Sequence, residues 1–108
     1  MIALIGGLMT KQKRLPGVKL QGKFFRTTGD YLRYIREGSG LSVLQVSRRL
    51  GYRSPSFVHR WDSNKRPVVM AQIKRLARFY GRPNLEIRTM IVKFEIIKLK
   101  EKWGLYED

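Results

Sequence analysis

From Leu41 to Pro67 the sequence LSVLQVSRRLGYRSPSFVHRWDSNKRP leaves room for little besides two short helices set against each other by a tight turn. Ser42 with Gln45 three residues on has capping-box spacing, which satisfies two amide donors that a helix start otherwise leaves orphaned. A helix is therefore predicted to begin at Ser42. Val46 and Leu50 fall four apart on one side while Arg48 and Arg49 project elsewhere, giving a core stripe and a basic face. Gly51 stops this helix. Ser54 then offers a second cap, with Pro55 at the first helical position, where its fixed φ is favourable and its missing N–H costs nothing. The second helix is predicted over Pro55 to Asp62.

Val58 and Trp61, with Phe57 beside them, make a short apolar stripe on this second helix. Ser56, His59, Arg60 and Ser63 recur at the i, i+3, i+4, i+7 spacing of one polar face. One face docks and the other is offered outward. A helix fits the DNA major groove, where base edges carry a distinguishable hydrogen-bonding code, so mixed donors and acceptors on an outward face suit a recognition helix.

YLRYIRE, GLSVLQVSRRLGY, FVHRWDSNKRP and IKRLARFYG together resemble the Cro/CI-type, or XRE-type, helix-turn-helix DNA-binding proteins, from Thr28 to about Gly81. The resemblance implies an all-α, lambda-repressor-like helix-turn-helix bundle, to which this chain adds a basic N-terminal arm and an extended C-terminal helix. It implies that Ser54, Pro55, Ser56 and Arg60 meet base edges and that Ser42, Asn64, Lys65 and Arg66 grip the DNA backbone. Arg53 in the turn and His59 on the outward face complete the expected DNA-binding set. It also implies an ion pair between Arg36 of the first helix and Asp62, and an acid at a helix C-terminus is indeed disfavoured unless a cation stands near. Two features depart from the family pattern: the turn GYRSPS is one residue longer, and Val43 replaces a polar residue and so removes one phosphate contact.

The 108 residues suit one domain plus appendages. A formal net charge of +15 and an isoelectric point near 10.8 call for a polyanionic partner or surface. Residues 1–28 hold Lys11, Lys13, Arg14, Lys19, Lys23 and Arg26 with no acid, while residues 83–108 balance five basic residues against five acids, so all the excess lies in the arm and the helix-turn-helix domain. With no cysteine there is neither a disulfide scaffold nor a thiolate metal site.

The division expected is a flexible basic arm over 1–27, the DNA-binding domain over 28–82 and a C-terminal helix over 83–108. MIALIGGLM is too short to span a bilayer and lacks a basic lead, so it is read as neither signal nor anchor. A frayed end and a hydrophobic docking segment both fit it. Residues 10–28 mix basic residues with Pro16, Gly17 and Gly22 and show no sustained period, as in an extended arm. That arm either reaches phosphates and a minor groove or is a solvated leader, and at least one of Phe24 and Phe25 should pack on the domain.

Thr28 is the expected cap of the first helix, with Asp30 near its positive end. After the basic loop, Ile73, Leu76, Ala77 and Tyr80 continue a helical pattern to Gly81. From Asn84 to Trp103 two apolar stripes lie on nearly opposite sides of one helix: Leu85, Val92, Ile96, Leu99 and Trp103, and Ile87, Met90, Ile91, Phe94 and Ile97. One small domain cannot cover both, so one stripe is expected on the domain and the other on a partner, for which a second copy is the simplest choice.

No Walker loop, GxSxG or HExxH occurs, and His59 is the only histidine, so neither enzyme chemistry nor a cofactor is expected. The leading expectation is a sequence-specific double-stranded DNA-binding transcriptional regulator, a repressor working as a homodimer in the cytoplasm on the nucleoid, with no membrane partner. An architectural protein of low specificity and an antitoxin-like module binding a partner protein through the C-terminal helix are the alternatives.

Overall fold

The computed structural model describes residues 16–105, in which a two-stranded sheet precedes five helices. The helices are α1 (Thr28–Gly38), α2 (Val43–Arg49), α3 (Ser56–Asp62), α4 (Met70–Tyr80) and α5 (Asn84–Lys102). The fold is thus mostly helical, as expected. The readings of residues 1–9 and of Lys11, Lys13 and Arg14 lie outside the described residues. Among the described residues no helix is long and apolar enough to cross a membrane.

Part of the expected arm is instead a hairpin. Strands β1 (Val18–Leu20) and β2 (Lys23–Phe25) pair antiparallel with Val18 opposite Phe25. Gln21 and Gly22 both take positive φ, 50° and 83°, in the two-residue loop whose twist matches that of the strands. Val18 and Phe25 are buried, and the Phe25 ring meets Tyr31 edge-on at 5.6 Å. Phe24 on the other face stays exposed, so one of the two phenylalanines packs, as expected.

Helix α1 is capped one residue earlier than expected, because Thr27 is extended and its Oγ1 accepts from Asp30 N–H. Thr28 is already helical. α3 begins at Ser56, one residue later than expected, so Pro55 rather than Ser54 holds the cap position and no side chain caps the helix; Ser54 Oγ, one residue further out, accepts from Ser56 N–H at 3.3 Å. The Ser42 capping box forms with both of its hydrogen bonds.

One core joins all five helices and the hairpin, with Leu32, Ile35, Val46, Val58, Trp61, Ile73 and Leu76 at its centre. α5 resolves the question of its two stripes. Ile87, Met90 and Phe94 are at most 2% exposed and seal the bundle, with Ile91 and Ile97 half-buried beside them, whereas the Leu85 stripe faces outward.

Tyr31 ties α5 to α1 by donating to Glu86 Oε2 at 2.7 Å, and Arg82 holds the same carboxylate through two hydrogen bonds of 2.8 and 2.9 Å. Burial raises the Glu86 carboxyl, but the hydrogen bonds from Arg82 and Tyr31 and the guanidinium charge together hold it below its ordinary value. A carboxylate lowered in the fold stabilises it above the ordinary glutamate range, and that contribution is lost as pH falls through the folded value. Tyr31→Phe should therefore cost about 1 kcal/mol at neutral pH and less in acid, as read by urea denaturation. An equal cost at both pH values would mean that the hydrogen bond is not coupled to the Glu86 charge.

Candidate nucleic-acid interface

The turn between α2 and α3 is built by Gly51, whose φ of 87° lets Gly51 N–H reach Arg48 C=O and Tyr52 N–H reach Ser47 C=O. Arg75 of α4 completes that end, donating to the carbonyls of Arg49 and Leu50 at 2.6 and 3.3 Å where the helix dipole favours a cation. The Tyr52 ring then stacks on Phe57 at 4.7 Å and stands edge-on to Trp61 at 6.1 Å. These contacts fix the angle at which α3 leaves the turn.

With Val58 and Trp61 buried, the opposite side of α3 is open. Ser56, His59 and Arg60 are exposed on it, preceded by exposed Arg53, Ser54 and Pro55, while Ser63 is half-buried with its hydroxyl donating to His59 C=O. Ser42 is exposed at the start of α2. Its oxygen accepts from Gln45 N–H, which leaves the hydroxyl proton free to donate.

The loop after α3 divides its labour. Asn64 adopts φ of 63°, a conformation asparagine tolerates, and lets Lys65 N–H bond Arg60 C=O at 2.8 Å. Asn64 is exposed, and its side chain makes two bonds within the protein: Oδ1 accepts from Gly29 N–H at 2.7 Å and Nδ2 donates to Thr27 Oγ1 at 2.9 Å. Its observed role is to clip the start of α1 to the end of α3. Lys65 and Arg66 are exposed, the Arg66 guanidinium lying 4.8 Å from the centre of the Phe57 ring.

Behind this surface stands the ion pair expected between Arg36 and Asp62, with Nε donating to Oδ2 at 2.8 Å and both residues buried. Arg36 Nη1 also donates to Leu41 C=O, so one guanidinium binds α1, the approach to α2 and the end of α3. Asp62 is the only acid from Gly38 to Leu85 and it is sealed within. Among the described residues Arg53, Arg60, Lys65 and Arg66 make no ion pair and share an unopposed positive field.

Three supports of this site carry little or no signal in the sequence. Gly29 is buried where a Cβ would strike Asp62 C=O and the Asn64 amide, and a glycine in a first helical turn was the available sign of close approach. Gln21-Gly22 between VKL and KFF was the sign of the hairpin. Arg75 gave no local sign, because its carbonyl partners lie 25 and 26 residues away.

Compared with known proteins, residues 28–90 match the family model described as a helix-turn-helix domain. No curated protein and no solved structure gives a significant match.

Proposed function

Because the chain belongs to the helix-turn-helix domain family, we propose that it is a sequence-specific regulator of transcription that inserts α3 into the major groove of double-stranded DNA. The observation that supports this most is the exposed face of Ser56, His59 and Arg60 beside unpaired Lys65 and Arg66, in a stretch with no exposed acid. Arg60, Ser56 and His59, with Ser54 and Pro55 at the helix entry, read base edges. Ser42, Arg53, Lys65 and Arg66 hold phosphates, and Asn64 sets the loop that presents the last two. The protein acts as a repressor by occupying its site, and as a homodimer it requires an inverted repeat with half-sites about 34 to 36 Å apart.

Charge alone would also permit a DNA coat of low specificity, and the two readings separate on Arg60 and Lys65. Arg60→Ala should lose about 1 to 3 kcal/mol of discrimination between matched and scrambled sites if the guanidinium reads a guanine edge. Lys65→Ala should weaken every sequence alike and flatten the salt dependence by about one phosphate contact. Binding titrations on both DNAs at several salt concentrations check this, and equal losses everywhere for both variants would favour the coat.

A further inference from the structure

The outward stripe of α5 has a stricter order than amphipathicity requires. Leu85, Thr89, Val92, Ile96, Leu99 and Trp103 follow one another at alternating steps of four and three residues, the heptad spacing of a coiled-coil seam. In that frame Leu85, Val92 and Leu99 occupy d positions, and Thr89, Ile96 and Trp103 occupy a positions. The residues packed on the domain fall on the far side of the same frame: Ile87 and Phe94 at f, Met90 at b. The five large apolar residues of the seam are 47% to 67% exposed. They offer on the order of 600 Å² per copy, so about 1,200 Å² for a pair, the lower edge of a stable specific interface.

We infer that this seam is covered by the same seam of a second copy, as a parallel two-stranded coiled coil. This deepens the dimeric reading given above and rests on it. Ile96 at a between Val92 and Leu99 at d is the one layer of the seam that matches the β-branched-a, leucine-d pattern favouring two parallel strands, Thr89 and Trp103 filling the other a positions. The flanking charges are balanced in this arrangement and weigh against the antiparallel one. In a parallel pair Glu95 at g faces Lys100 at e of the partner and Arg88 at g faces Lys93 at e, each twice by symmetry, so two attractive contacts stand against two repulsive ones. An antiparallel pair sets Glu95 against Glu95, Lys93 against Lys93 and Arg88 against Lys102. Its attractive contact would use Glu86, which Tyr31 and Arg82 hold at 2.7 to 2.9 Å, whereas Glu95 is held within the chain only by an exposed 3.7 Å contact with Lys98. A parallel pair places the two α3 helices at the same height on either side of the coil.

The chain has no cysteine, which makes the register directly testable. The unmodified full chain should sediment as a dimer at micromolar concentration without DNA. Leu99→Cys should oxidise to a disulfide-linked dimer under native conditions, whereas Glu101→Cys, at f, should not. Ile96→Lys combined with Leu99→Lys should remain helical by circular dichroism and sediment as a monomer. A monomeric unmodified chain would overturn the inference, as would equal cross-linking of the two cysteine variants. Cross-linking between Leu99→Cys and Thr89→Cys chains, with none between two Leu99→Cys chains, would replace the parallel arrangement with an antiparallel one and so overturn it too. DNA binding is read separately: a monomer that selects a single half-site refutes the seam and keeps the DNA reading, and a cross-linked dimer without sequence preference does the reverse.

Discussion

Arg36→Met should destabilise the fold by about 3 to 5 kcal/mol, because it strands the buried Asp62 carboxylate and frees the Leu41 carbonyl at one stroke. The loss should also depend on pH in a defined sense. Burial pushes the Asp62 carboxyl above its ordinary value, and the hydrogen bond and charge of Arg36 pull it part of the way back. A raised value means that the native state holds the proton more tightly than the unfolded chain. This group's contribution therefore falls as pH rises from the ordinary carboxylate range through the folded value. With Arg36 gone the restraining pull is gone, so the variant should lose stability between acid and neutral pH more steeply than the parent. Denaturant titrations across that range measure it. A loss under about 1 kcal/mol, the worth of a surface pair, with parallel pH curves would show that the ion pair does not hold α1 to α3.

Phe94→Ala should cost a comparable amount, about 3 to 5 kcal/mol, since the ring is 2% exposed and its removal opens a cavity between α5 and the bundle. Val92→Ala, two residues earlier on the outward face, should cost the monomeric fold less than about 0.5 kcal/mol. The comparison matters because Phe94 lies beyond residue 90, where the family match ends. If Phe94→Ala cost no more than Val92→Ala, α5 would be an appendage to the domain; the expected difference makes it part of the core.

The parts of this molecule governed by local chemistry were legible in the sequence. The Ser42 box, Gly51, Gly81 and the apolar spacing of α2 to α5 each act within a few residues, and each helix stands within a residue or so of its expected place. The pairing of Arg36 with Asp62 came from the family pattern together with the rule that an acid ending a helix needs a cation. What stayed hidden depends on contacts across the fold. Thr27 caps α1 in place of Thr28 where Asn64, 37 residues away, also holds its hydroxyl. The two stripes of α5 look equally apolar in sequence, and only the packing of Ile87 and Phe94 distinguishes the inner one. Strands of three residues are too short for periodicity, so the hairpin merged with its basic surroundings.

Whether the exposed face of α3 reads a particular DNA sequence is decided by recovering bound duplexes from a random pool with the full chain. One inverted repeat should be enriched, bound about 10³-fold or more tighter than scrambled DNA at physiological salt, with the preference relaxed at one position per half-site in Arg60→Ala. A recovered pool as random as the starting one, with affinity set by salt alone, would contradict it.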